Sequence, residues 1–233
     1  MFRFEESNYK NNYTIDEIFD RVSKYGYKYI LLANQTYKQD PFILASYLAS
    51  KYDNLIFIVA VRPYNINPRY LSMIISTFQE LYGDRLIINL VAGTFDDEEI
   101  LFTGNNSGIE NRKNQLIEIA KIIKQETKIK PKIIFGGSSQ KTIDATNLYG
   151  DAVLMKINDY LSNMNIEKEI ILRVFLSNQN GKEDHFITGS NKEICNKIKM
   201  FKDTGISHIL ISWDDVDDQL DNLGNITKIL TSL

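Results

Sequence analysis

The sequence predicts an α/β protein built as one compact (β/α)8 TIM barrel. Three observations carry that expectation. Short apolar, β-branched runs alternate with amphipathic helical stretches along the chain. Runs such as IFIVAV and LIINLVA are apolar at every or nearly every position, which suits parallel strands covered on both faces rather than a half-wet antiparallel sheet. Eight such strand-sized runs fit within 233 residues, a length usual for this fold. An open doubly wound sheet is the alternative.

The expected strands are Met1–Phe4, Tyr27–Ala33, Leu55–Val61, Leu86–Ala92, Lys132–Phe135, Ala152–Ile157, Ile170–Leu176 and His208–Trp213. Between them, Ile15–Tyr25 carries Ile15, Ile18, Phe19 and Val22 at helical spacing, and Pro68–Tyr82 does the same with Leu71, Ile74, Ile75 and Phe78. Gln115–Lys124, Lys141–Tyr149 and Lys192–Lys202 complete the helical patterns. Pro41, Pro63, Pro68 and Pro131 each fall at an element boundary, and no Pro/Gly/Ser-rich linker divides residues 1–233, so a single domain is expected. The acidic clusters Asp96–Glu99 and Asp214–Asp218 read as solvated loops or helix starts, where the helix dipole favours negative charge.

Lys plus Arg is 27 and Asp plus Glu is 30, a net charge of −3 that gives no general reason to expect nucleic acid or an anionic membrane as partner. The longest apolar runs are strand-sized and MFRFEESNYK has no signal-peptide core, so a cytoplasmic protein is expected. The lone cysteine, Cys195, suits a reducing compartment and sits in a helical pattern as a packed thiol. Two histidines and one cysteine make a zinc site an unpromising idea, and His208, at the start of a strand, reads as structural.

In a barrel, chemistry sits where strands end and βα loops begin. Gly136-Gly137-Ser138-Ser139 follows an apolar strand and precedes a helix; its glycines allow close backbone approach, and its amides and hydroxyls can hold a phosphate. A plain turn with a serine cap is the other reading of the same residues. Arg62 follows a buried strand and Arg173 lies within one, places where a charge needs a partner or a ligand. Asn34, Asp40 and Lys156 are polar at the same rim.

Ile58–Gly93, with a V-A-x-R-P strand, a helix, a G-x-R turn and an N-L-V-x-G strand, resembles the FMNH2-dependent alkanesulfonate monooxygenases of the bacterial luciferase-like flavin monooxygenase family. Pro131–Val153 resembles that family's strand–GGSS–helix unit, Asp40-Pro41-Phe42 its D-x-aromatic segment, and GISHILISWDDVDD its last strand and loop. The resemblance implies FMN across the barrel mouth, its phosphate on Gly136, Gly137, Ser138 and Ser139 with Lys113, and its ring near Ala60, Val61, Arg62, Ala92 and Gly93. It implies an O2-activating monooxygenase working through a flavin C4a-peroxide, with Arg173, Arg62, Asn34 and Lys38 around the reaction centre, and with reduced FMN supplied by a separate flavin reductase. The substrate would be a small or carrier-tethered organic molecule, and the chain would form a homodimer.

Departures from the family pattern qualify those implications. Phe175 stands where the catalytic histidine would be, Lys38 aligns with the active-site cysteine, and Ile109-Glu110-Asn111-Arg112-Lys113 lacks the His and Tyr of H-x-x-R-Y. Ser177–Ser190 is a short connection where longer relatives carry a lid between strands seven and eight. A non-catalytic flavin-binding or subunit-like member of the family, and an unrelated barrel whose GGSS segment holds a phosphorylated metabolite, remain alternatives.

Overall fold

The computed structural model describes residues 2–4, 14–34, 39–93, 96–160, 164–177, 186–201, 204, 206–213 and 219–231. Along the chain run β1 (Phe2–Phe4), α1 (Ile15–Lys24), β2 (Tyr29–Leu32), α2 (Pro41–Ala49), β3 (Ile56–Val61), α3 (Pro68–Tyr82), β4 (Leu86–Val91), α4 (Asp96–Thr103), α5 (Ile109–Glu126), β5 (Lys132–Gly136), α6 (Gln140–Tyr149) and β6 (Ala152–Lys156). After a single 3-10 turn at Ile157–Asp159 come β7 (Glu169–Ser177), β8 (Phe186–Thr188), α7 (Asn191–Met200), β9 (His208–Trp213) and α8 (Gln219–Thr231).

Local chemistry sets the helix starts. Thr14 and Glu17 form a reciprocal capping box on α1, and Ser190 and Glu193 form another on α7. Asp40 and Asn67 cap α2 and α3, each followed by a proline that presets the first helical φ. Gly83, at φ 75°, ends α3 in a backbone region that favours glycine.

All strand pairings are parallel, in the order β6-β5-β4-β3-β2-β1-β9-β7-β8, and β6 also pairs with β7. That additional pairing sets β6, at one end of the run, beside β7, the last strand but one at the other end. Side chains alternate across the sheet. Leu31, Ile58, Ile87, Ile134, Ala152, Ile171 and Leu210, one from each of seven strands, pack into a single inner cluster. Their neighbours Ile30, Phe57, Val59, Ile88, Ile133 and Val174 pack against the helices in the larger outer core.

Several elements differ from the sequence reading, including α4 and α8, which no expected helical pattern covered. α2 carries apolar residues on nearly all sides, so no 3.6-residue stripe marks it. α5 starts at Ile109, six residues before the expected Gln115, because Gly108 opens it without a side-chain cap. The connection after β7 contains β8, whose Phe186, Ile187 and Thr188 pair with Phe175, Leu176 and Ser177 at the far end of β7.

Candidate functional site at the C-terminal ends of the strands

Two residues beyond six of the seven members of the inner cluster, the same face of the sheet carries Ala33 on the chain leaving β2, then Ala60, Asn89, Gly136, Leu154 and Arg173. Two alanines and a glycine take up little room, and above this layer opens a cavity of about 570 Å3 lined by all six of these residues. Its walls include Asn34, Arg62, Ala92 and Gly93 on one side and Lys113, Gly137, Lys141 and Thr142 where α5 and α6 begin. A volume of this size lies within the usual range of small-molecule and cofactor pockets.

Arg173 rises from the cavity floor with its guanidinium 4.3 Å from the centre of the Phe175 ring. Its Nε is buried without a hydrogen-bond partner, and burial pulls its pKa down to about 10, so it stays charged at neutral pH. In the same layer, three strands away on β4, Asn89 is 2% exposed and its Oδ1 is likewise unpartnered. Buried polar atoms of this kind are costly unless something satisfies them. Both face a cavity large enough for a ligand that could do so.

Arg62 is tied down. Its guanidinium pairs with Glu98 of α4, and the Tyr64 hydroxyl lies 3.1 Å from Glu98 Oε2 and 3.4 Å from Arg62 Nη1. Burial lowers the Arg62 pKa, and burial raises that of Tyr64 against the opposing pull of Arg62. Glu99, next along α4, forms a buried ion pair with Arg112 of α5 at 2.7 Å and also accepts the Ser107 hydroxyl. Two adjacent carboxylates thus fasten α4 to the rim. Asn34 accepts a hydrogen bond from Asn65 Nδ2 at 2.9 Å, which orients its amide beside the cavity.

The structure brings Asn34, Ala60, Arg62, Ala92, Gly93, Lys113, Gly136, Gly137 and Arg173 to one cavity. Val61 is a correction: it is 1% exposed and belongs to the helix-facing core, because alternation gives Ala60 the inward place. Ser138 and Ser139 are also displaced from their expected part. Neither lines the cavity, and Ser139 Oγ caps α6 by accepting from Thr142 N while also bonding Thr142 Oγ1 at 2.9 Å. Lys38, His185 and Asp214–Asp218 lie outside the described residues. Asp96–Glu99 opens α4, and Cys195 is fully buried with its thiol pKa pushed up by burial. His208 begins β9 with Nε2 3.7 Å from Glu169 Oε2 and its ring 5.8 Å from that of Tyr29.

Sequence reasoning missed Asn89, Lys141, Thr142 and the Glu98–Tyr64 contact. The lone asparagine inside LIINLVAG was a usable signal, since a polar residue in a fully buried strand needs a reason. Lys141 gave none, as a surface helix would carry a lysine equally well.

A sequence model described as luciferase-like monooxygenase matches residues 12–128, half of the chain. The chain belongs to the luciferase-like monooxygenase family. Solved structures share its fold at low identity. An F420-dependent secondary alcohol dehydrogenase, in complex with an F420-acetone adduct, superposes with a TM-score of 0.74 at 12% identity over 93% of this chain and 94% of its own. The EDTA monooxygenase of Chelativorans sp. BNC1 gives 0.74 at 11% identity over 92% and 85%. A riboflavin lyase holding a modified FMN and riboflavin gives 0.77 at 9% identity over 99% and 91%. These luciferase-like neighbours include both flavin and F420 enzymes. No helix among the described residues is long and apolar enough to cross a membrane.

Proposed function

We propose that this chain is a one-domain (β/α)8 barrel with a shortened connection in place of a lid, and that it is a monooxygenase using reduced FMN. The observation that supports the reading best is the pair of unlike polar regions on one cavity. At the starts of α5 and α6, Lys113, Lys141 and the Gly136–Gly137 backbone offer cations and close approach suited to a phosphate. At the floor, Arg173 and Asn89 offer a buried cation and a buried acceptor, both unmet. A flavin mononucleotide has a charged tail to suit the first region and a ring edge rich in donors and acceptors to suit the second.

When bound, reduced FMN would supply two electrons to O2, one oxygen atom entering the substrate and the other leaving as water. The chain's own part is binding, orientation and exclusion of water. Lys113 and Lys141 hold the tail. Ala60, Ala92 and Gly93 leave flat space for a ring. Arg173 stabilises negative charge that develops over the floor, and its low-dielectric surroundings strengthen that effect. Asn34, Arg62 and Lys38 remain the other proposed contacts near the reacting atoms. A flavin reductase supplies the reduced cofactor, and the protein works in the cytoplasm on an organic substrate. Exposed Ile43 and Tyr47 on α2, with Tyr70 and Met73 on α3, support a homodimer through those helices. Neither nucleic acid nor membrane is a proposed partner.

A second reading, flavin binding without turnover, is favoured by one observation: neither a histidine nor a cysteine is among the residues lining the cavity. Anaerobic titration with photoreduced FMN, followed by air, separates the two. Tight binding with oxygen consumption coupled to product supports the monooxygenase, and binding with uncoupled reoxidation supports the second reading. Absence of binding removes both. Octanesulfonate should release little sulfite in a reductase-coupled assay, because Phe175 stands where an imidazole would transfer the proton.

A further inference from the structure

Lys113 and Lys141 come from different helices, and one carboxylate bridges them. Glu110 Oε1 lies 2.7 Å from Lys113 Nζ, and Glu110 Oε2 lies 3.2 Å from Lys141 Nζ. The two ammonium groups differ in setting from the carboxylate between them. The lysine side chains are 18% and 33% exposed and both line the cavity, whereas Glu110 is 63% exposed and does not line it. Lys141 is also placed against the local field. It is the second residue of α6, where the helix dipole disfavours a cation, and the first turn of α6 contains no acidic residue to offset it. A pair of cations held in this way, one at an unfavourable helix position, is built for an anion in addition to Glu110.

We propose that Glu110 is a displaceable stand-in for the ligand's phosphate, and that it makes this end of the cavity selective for a terminal phosphomonoester. The inference rests on the flavin reading above and deepens it. With Glu110 in place the cluster of two lysines and one carboxylate carries a net single positive charge. When Glu110 swings into water, two positive charges meet a phosphomonoester that is close to doubly negative at neutral pH. A neutral ribityl tail brings no charge, so it leaves Glu110 where it is. A phosphodiester brings one negative charge and replaces Glu110 without gain. The ligand class is therefore a molecule ending in a dianionic phosphate.

Glu110→Gln keeps the shape of the side chain and removes its charge. At low ionic strength, anaerobic titration should show photoreduced FMN binding at least about twofold tighter to E110Q than to the parent protein, the scale of an exposed ion pair. Photoreduced riboflavin, the same ring without phosphate, should bind both proteins alike. In parallel, inorganic phosphate, with chloride at matched ionic strength as control, should raise the Tm of E110Q more than that of the parent, and adding Lys141→Gln should abolish the difference. If FMN binds the parent and E110Q equally, or if riboflavin tightens as much as FMN, the stand-in role is overturned while flavin binding stands. If the parent binds no reduced flavin yet phosphate still favours E110Q, the flavin reading falls and the anion subsite stands. If phosphate and FMN are both indifferent to E110Q, the proposal is wrong.

Discussion

The Arg173 guanidinium sits 4.3 Å above the ring of Phe175, two residues along the same strand, and that aromatic face is its principal neighbour in place of a carboxylate. A cation–π contact of this sort offsets only part of the desolvation of a buried charge. Arg173→Met should therefore leave folding stability unchanged or raise it, while slowing product formation by more than it weakens reduced-FMN affinity. Thermal melts and coupled turnover measure both. A stability loss above about 2 kcal/mol would make Arg173 a structural residue, because removal of an unmet buried charge costs little.

The Glu99–Arg112 pair behaves in the opposite way, since the two side chains are 3% and 2% exposed and meet at 2.7 Å. Arg112→Met leaves a buried carboxylate without its cation and should cost about 3 kcal/mol. Burial pushes the Glu99 carboxyl up, but hydrogen bonds from Ser107 and Arg112 outweigh it and hold the group below its ordinary 4.5. A carboxyl depressed in the folded state contributes stability that is present above pH 4.5 and fades as pH falls through the lower folded value. Melts of the parent and of Glu99→Gln should thus differ most at neutral pH and draw together as pH falls below 4.5. A constant gap across that range would contradict the assignment.

Gly93, at φ 75°, has room for no side chain, as an added Cβ would lie 2.9 Å from the Tyr64 hydroxyl. Gly93→Ala should cost about 1–3 kcal/mol through backbone strain and should also press Tyr64 away from Glu98, loosening α4. Combining it with Tyr64→Phe, which removes the crowding oxygen, should recover part of the loss in a denaturant titration. Strict additivity of the two would place Tyr64 outside the effect.

Ser139 and Lys141 are two residues apart and should fail differently. Ser139→Ala removes the α6 cap and is expected to cost about 1 kcal/mol of stability. Lys141→Gln should leave the melting temperature nearly unchanged and weaken reduced FMN. Loss of flavin affinity in Ser139→Ala without loss of stability would return the serine hydroxyl to the binding surface.

The strands were legible because each is a largely apolar run between breakers, and seven of the eight expected runs match the observed strands within one residue at each end. Helix α2 was not legible, because burial on several sides erases the amphipathic period that a single chain reveals. The site divided similarly. Arg62, Arg173 and the double glycine betray themselves by being polar or featureless beside apolar strands. Val61 and Ala60 look alike in sequence, and only the inward or outward turn of the strand separates them. Ser139 shows a harder limit: a helix cap and a phosphate ligand ask for the same hydroxyl at the same βα junction, so composition cannot tell them apart.

The inner face of the sheet is layered, with a tight apolar tier below and a tier of Ala33, Ala60 and Gly136 above it, and the two tiers divide labour. The lower one keeps the strands together whether or not anything occupies the space overhead. The upper one is where a few added methylene groups would decide what shape of guest is admitted, or whether any is, with little consequence for the architecture underneath. Ligand choice in this chain is therefore open to revision by single substitutions at Ala33 or Ala60 without renegotiating the fold, whereas a Cβ at Gly136 would lie 2.6 Å from Val91 Cγ1 and force that side chain to move.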